Sequence, residues 1–352
     1  MKTMIFFLKA LLVLGFMALI FSCEKDESST TANSNIDTLE AISVNTTLDA
    51  AKLYIALDAV QVNATLTIPA GTIIKFTQSG RMDVGANGSI QAIGTEQKPI
   101  IFTSIKDDTR GGDTNGDNTS TTPAPKDWGA VTNFGNNSTF TYCHFYYGGN
   151  WGDHTATLEI KWCMSTVTHC TFAYNYGGLL SDNTNGALCV KEAEIETVVN
   201  SNVFYANDIP LTIDVNMSLD ETNIFHNPAN TTVKNKYNGI FVDSYTNNSA
   251  VVWTENEVPY VMISHMGIES TASLTLNSDV VLKMYPGTRI DIYEGGTLTH
   301  NGAIITSFKD DAYLGDTNGD GSLTLPAAGD WVGINLGYGN YMTGTNIKYS
   351  LN

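Results

Sequence analysis

Proline is scarce in this chain, at 9 of 352 residues, and only 15% of residues are charged. The first scarcity argues against a proline-rich spacer, the second against a charge-laced helical protein or an acidic disordered tail. Cations are the rarer charge, with 18 Lys and Arg against 36 Asp and Glu. A formal net charge of −18 leaves nothing to neutralise phosphates, so nucleic acid is not expected as a partner. HExxH, GxSxG, P-loop and CxxC motifs are missing, and the six histidines show no ligand spacing. Past residue 22 no apolar run approaches the roughly 20 residues a membrane span requires. Helical periodicity is hard to find beyond residue 60. Thr, Asn and Gly dominate instead, a mixture suited to many short strands joined by turns.

The first residues read as an address. Lys2 and Lys9 precede an apolar stretch from Ala10 to Phe21, which ends in Ser22-Cys23. A positive start, about a dozen apolar residues and a small residue before the cut describe a secretory signal over residues 1–22. A small residue followed by Cys at this point resembles a bacterial lipobox, which makes Cys23 the lipidated first residue of the mature chain. Glu24-Lys25-Asp26-Glu27-Ser28-Ser29 resembles the acidic export signal of Bacteroidetes-type lipoproteins displayed at the cell surface. The expected location is therefore the outer membrane, facing outward, with the membrane as a partner through the anchor. Residues 23–40 read as an acidic, Ser/Thr-rich tether and 41–352 as one domain. Loss of Lys2 and Lys9 with the signal leaves a formal charge of −20.

The domain repeats itself. Leu66-Thr67-Ile68 and Ile73-Ile74-Lys75-Phe76 match Leu274-Thr275-Leu276 and Val281-Leu282-Lys283-Met284 at an offset of 208. After a short deletion the offset becomes 203. Lys106-Asp107-Asp108 then meets Lys309-Asp310-Asp311, and Gly112-Asp113-Thr114-Asn115-Gly116-Asp117 meets Gly315-Asp316-Thr317-Asn318-Gly319-Asp320. Asp127-Trp128 meets Asp330-Trp331. The two copies cover about 54–134 and 260–337. Between them runs a shorter rhythm: the segment from Ser138 echoes from Ser165 at an offset of 27, and again around Asn202-Val203-Phe204 and Asn223-Ile224-Phe225. Short apolar strands repeating every twenty-odd residues describe the coils of a solenoid, each burying its apolar face only by stacking. Cys143 and Cys170 are 27 residues apart and Cys163 and Cys189 are 26 apart, so each pair is expected on adjacent rungs. Parallel in-register side chains favour buried thiols over disulfides.

Leu66-Thr67-Ile68-Pro69-Ala70-Gly71-Thr72-Ile73-Ile74-Lys75-Phe76 and Gly94-Thr95-Glu96-Gln97-Lys98-Pro99-Ile100-Ile101-Phe102-Thr103-Ser104 resemble the right-handed parallel β-helix lipoproteins. That group is similar in fold to the pectin-lyase-like superfamily. The resemblance implies an all-β parallel solenoid with inserted Asp/Asn-rich loops. It implies little about activity, because the same tube serves lyases, hydrolases, adhesins and stalks.

Two sets of residues carry candidate chemistry. Asp113, Asn115 and Asp117, with Asp316, Asn318 and Asp320, place oxygen ligands at alternate positions around a glycine. This resembles the first half of an EF-hand-type loop and points to structural Ca²⁺. The loop departs from that pattern at position twelve, where Ala124 and Ala327 replace the bidentate Glu, and at Asn118, where a Gly is usual. Asp127 and Asp330 are candidate completing ligands, as are Asp107, Asp108, Asp310 and Asp311. The second set is aromatic: Tyr146, Tyr147, Trp151, Tyr174 and Tyr176 cluster near Gly148-Gly149 and Gly177-Gly178. The β-helix resemblance makes these rings a possible glycan platform, and core filling is the plain alternative. The expected job is non-catalytic: binding a polysaccharide or an envelope protein, or surface spacing. The alternatives are a lyase or glycosidase acting on acidic polysaccharide, and an accessory subunit of an outer-membrane assembly. The last coil, Asn346 to Asn352, lacks an obvious polar cap, a feature that invites a partner.

Overall fold

A computed structural model describes residues 35–352 apart from 151, 153–155, 179–183 and 244. The signal, Cys23 and Trp151 lie outside the described residues. Among the described residues every regular element is a strand, and the chain is a right-handed parallel β-helix. Sheet A has seven strands, from Ile36–Thr38 to Val203–Tyr205. Sheet B has ten, from Ala59–Val62 to Ile304–Ser307, and sheet C six, from Thr46–Thr47 to Val198–Asn200. Sheet D, five strands beginning at Thr246–Asn247, and sheet E, three beginning at Ala250–Trp253, complete the C-terminal coils. Ile36–Thr38 pairs in parallel with Leu53–Ala56, so the solenoid begins inside the stretch expected to be tether.

Stacking places like over like, as the short rhythm predicts. Ser138 lies over Ser165 and His144 over Thr171. Phe102, Phe145, Phe172, Phe204 and Phe225 form a continuous column inside the tube, with centroids 4.6–5.3 Å apart. All five are fully buried, and burial of such a ring contributes about 1.5–3 kcal/mol. The corners are sharp. Tyr142, His169 and Ser201 each turn sheet C into sheet A from the left-handed region, at φ 50–56°. A non-glycine residue there costs roughly 1–3 kcal/mol, which neighbouring contacts must offset. Buried asparagines do so from Ser201 onward and at the following corner. Asn202 Nδ2 donates to Val167 O (2.9 Å), and Asn175, Asn207 and Asn235 form a second ladder where sheet A turns to B.

The cysteines divide. Cys143 and Cys170 stack on adjacent rungs, and all four described cysteines are buried free thiols. Cys163 and Cys189 do not stack: Cys189 pairs with Glu159, because this coil sets Leu158 over Leu188 and is longer than its neighbours.

The duplication is real at the level of bonds. Trp128 and Trp331 are both fully buried and donate Nε1 to the carbonyls of Tyr146 (2.7 Å) and Lys348 (2.8 Å). The two copies nevertheless sit on different faces. Ile73–Phe76 belongs to sheet A, whereas Val281–Met284 belongs to sheet B. The second copy is thus built one sheet further round the tube. Its acidic loop leaves between sheets B and D, and that of the first copy leaves between A and B. The last strand, Tyr341–Met342, folds back antiparallel on Gly333–Asn335.

Candidate metal centres in twin acidic loops

Each loop is fastened at its neck before any cluster forms. Thr103 donates its hydroxyl to Asp107 Oδ2 (2.7 Å), and Thr306 donates to Asp310 Oδ2 (2.6 Å). Asp127 accepts from Ser104 Oγ (2.8 Å) and Lys106 Nζ (2.7 Å); Asp330 accepts from Ser307 Oγ and Lys309 Nζ, both at 2.7 Å. The amides of Ala124 and Ala327 add a third donor to these carboxylates. Burial opposes the charge of Asp330, but Lys309, the Ala327 N–H and the Ser307 hydroxyl outweigh it and hold its carboxyl below the ordinary value. Asp127 and Asp330 are therefore held at the necks by three donors each and are not among the carboxylates that converge in the loops.

Beyond the neck, Asp108, Asp113 and Asp117 bring one oxygen each to within 4.8 Å of one another, and so do Asp311, Asp316 and Asp320. Turn chemistry shapes both clusters. Asp113 accepts from the amides of Gly116 (2.7 Å) and Asn118 (2.9 Å), and Asp316 from those of Asp320 (3.2 Å) and Gly321 (2.8 Å). The Asn118 amide in particular holds the Asp113 carboxyl below its usual value. The Thr324 hydroxyl does the same for Asp320. Gly116 and Gly319 take φ of +73° and +67°, and Asn118 adopts +63° where the second copy has Gly321 at the same +63°. Asparagine tolerates this backbone, which explains how the first loop keeps its shape without the expected glycine. Asn115 and Asn318 lie at the edge, donating Nδ2 to Asp117 (2.9 Å) and Asp320 (3.1 Å).

The donor set fits a hard divalent cation. Three carboxylates converge in each loop, and Asp108 Oδ1 and Asp311 Oδ1 are shielded from solvent with no hydrogen-bond partner. Such an orphaned oxygen is costly unless something electropositive meets it. The upstream Asp108 and Asp311 thus supply the third carboxylate of each cluster, where the sequence has Ala124 and Ala327 at position twelve.

A further pair of residues escaped notice as functional. Lys75 and Lys283 are fully buried beneath the loops. Lys75 Nζ donates to the carbonyls of Asp107 (2.9 Å) and Gly112 (2.6 Å); Lys283 Nζ donates to Gly315 O (2.7 Å) and Thr317 Oγ1 (2.9 Å). Burial pulls the Lys283 amine down to about 8, with Asp311, Asp310 and Asp316 resisting. The sequence signal was a lysine inside an otherwise apolar strand, written twice.

The aromatic set splits. Tyr146 is buried, with the Arg110 guanidinium 3.9 Å above its ring and Arg110 also paired with Asp107 at 2.8 Å. It is no exposed platform, because loop one closes over it. Its hydroxyl lies 3.2 Å from His144 Nδ1, and burial, then Arg110, push His144 down to about 4. Tyr147 and Tyr174 stack at 5.6 Å, with Tyr205, unforeseen, edge-on to Tyr174. The Lys126 ammonium sits 3.5 Å over Tyr176. Copy two has Tyr313 in place of Arg110, and there the Lys348 ammonium lies 5.6 Å from the ring centre.

Residues 40–158 match the family of pectate-lyase-like beta helix domains. No curated protein and no solved structure matches the chain. The family match agrees with the parallel coils and extends over the first acidic loop.

Proposed function

We propose that this chain is a lipid-anchored β-helix displayed at the cell surface, with calcium holding its two acidic loops, and that it serves as a non-catalytic binding or spacing element of the outer membrane. One observation carries the reading: the same three-carboxylate cluster, with the same orphaned oxygen, is built twice on different faces of one tube. Asp113, Asp117, Asp316 and Asp320, with Asp108 and Asp311, are the ligands in this reading. The groups a lyase or glycosidase would recruit are committed elsewhere. Arg110 is held by Asp107 and Tyr146, and Asp107 by Thr103, Thr109 and Arg110. The partner is a polysaccharide or an envelope protein, reached at the end of the anchor on Cys23.

Two measurements test this. Cys23→Ala is expected to move the protein from the membrane to the soluble fraction, and unchanged fractionation would refute the anchor. Chelator is expected to lower the melting temperature of the mature protein, since a ligand at a hundred times its Kd stabilises by about 2.7 kcal/mol per site. Identical melting with calcium and with chelator would refute the calcium reading.

A further inference from the structure

The two acidic loops share a frame but not a surface. In the second, Asp320 Oδ1 accepts from the Leu323 amide (2.9 Å), and Oδ2 from the Thr324 amide (3.1 Å) and hydroxyl. In the first, Asp117 Oδ1 accepts from the Ser120 amide (3.1 Å), and Oδ2 from the Thr121 hydroxyl. The same carboxylate thus turns the same stretch of backbone. What that stretch carries differs: Leu323 and Leu325 stand where the first loop has Ser120 and Thr122. They are 87% and 75% exposed, more than any other described leucine. Leu314 is a third case. It adopts φ 56° and stays partly in water, where the first loop uses Gly111 at φ 75°. A leucine in the left-handed region is strained, so the backbone does not ask for it.

The first loop shows that the frame forms with polar side chains at its tip. The leucines are therefore not needed to build the loop, and burial would usually draw them inside. They also stand beside the carboxylate cluster. Ser322, next to Leu323, donates its hydroxyl to Asp311 Oδ2 (3.1 Å), and the Leu323 amide itself is held by Asp320. Asp311, Asp316 and Asp320 bring three carboxylates together, whereas calcium takes about six to eight oxygens. A loaded cluster keeps room for oxygens from outside, at the foot of a leucine-tipped loop.

This pairing selects the occupant. It must present anionic oxygens and an apolar phase side by side. A stable protein interface covers roughly 800 Å² on each side with matched shapes, and side chains this exposed protrude rather than line a groove. A lipid leaflet asks for no matched shape, and it sets phosphates directly above acyl chains. Residues 321–329 carry no charge, so the tip brings none into that phase. The formal charge of −18 opposes approach to an anionic leaflet, which makes the bridging cation a requirement.

We infer that the calcium-loaded second loop docks on a phosphate-bearing lipid leaflet, with Leu323 and Leu325 entering it beside the headgroup oxygens that meet the ion. The inference rests on the calcium reading but not on the Cys23 anchor. It gives the second loop a role that the first, with Ser120 and Thr122, does not share.

The test is co-sedimentation of the mature chain carrying Cys23→Ala with vesicles of phosphatidylglycerol and phosphatidylethanolamine, with calcium uptake measured on the same preparation. The protein is expected to pellet with the vesicles in calcium and to leave them in chelator. Exchanging the tip for that of the first loop, Leu323→Ser with Leu325→Thr, should weaken vesicle binding at least about tenfold, at unchanged calcium uptake and melting temperature. Asp311→Asn should weaken vesicle binding far more than Asp108→Asn. Calcium uptake without vesicle binding, binding indifferent to the leucine exchange, or equal losses in the two aspartate variants would overturn the docking and leave the calcium reading in place. A calcium-dependent dimer that forms without lipid and is dispersed by the leucine exchange would overturn it too, by assigning the tip to a second copy of the chain. Failure to take up calcium would overturn both readings.

Discussion

Replacing Asn207 by alanine puts the stacked architecture to a quantitative test. The residue is 2% exposed and joins three coils. Its Nδ2 donates to Phe172 O (2.8 Å) and to Asn235 Oδ1 (2.9 Å), and its Oδ1 accepts from the backbone and side-chain nitrogens of Asn175, both at 3.0 Å. In Asn207→Ala some of these groups keep other partners. Asn175 Nδ2 still donates to Phe145 O, and Asn235 Oδ1 still accepts from the Asn207 amide. The Asn175 N–H loses its acceptor outright, while the Phe172 carbonyl stays within a parallel ladder. A buried backbone group deprived of its partner costs roughly 1–3 kcal/mol, which sets the loss expected for Asn207→Ala. Asn207→Asp keeps the acceptor but turns an oxygen toward Phe172 O and Asn235 Oδ1, and should cost at least as much at neutral pH. The exposed Thr232→Ala serves as control, within about 0.5 kcal/mol of wild type. Urea unfolding followed by tryptophan fluorescence measures all three. A loss under about 1 kcal/mol in Asn207→Ala would refute the idea that the asparagine ladder offsets the strain of the corners.

Other outcomes follow from the same contacts. Lys283 titrates at about 8 in the fold and near 10.5 when unfolded, so between these values the unfolded chain holds more protons. Stability in chelator should therefore rise from pH 8 to pH 10, by up to ~3 kcal/mol, and Lys283→Met should flatten that rise; equal slopes would refute the assignment. The mature chain carrying Cys23→Ala should release four thiols to a thiol reagent when unfolded without reductant, and none when folded. Burial pushes the Cys189 thiol up to about 12, which adds to its inertness. Fewer than four thiols would reveal a disulfide.

Much of the tube was legible because stacking forces side chains to recur. The echo of Ser138-Thr139-Phe140 in Ser165-Thr166-Val167 is the ladder itself. Spacing failed where a coil changes length: Cys163 and Cys189 are one average coil apart, yet Leu158 pairs with Leu188 and slides them out of register. The one-sheet rotation of the second copy was hidden for a related reason, since an offset in residues does not say how many thirds of a coil it spans. At the acidic loops, the Asp-Thr-Asn-Gly-Asp run pointed to four of the six carboxylates that converge. It could not tell Asp127 from Asp108, because what separates them lies outside the run: Ser104 and Lys106 donate to Asp127, and Asp108 Oδ1 has no hydrogen-bond partner. Tyr146 follows the core-filling alternative, because Arg110 covers it from a loop that the local aromatic pattern does not record.

The central claim is that each acidic loop holds one calcium ion through its three carboxylates. Equilibrium dialysis of chelator-treated mature protein against ⁴⁵Ca²⁺ tests it most directly. The prediction is two ions per wild-type chain, one in either Asp108→Asn or Asp311→Asn, and none in the double variant. No uptake by the wild type, or uptake indifferent to both substitutions, would contradict it.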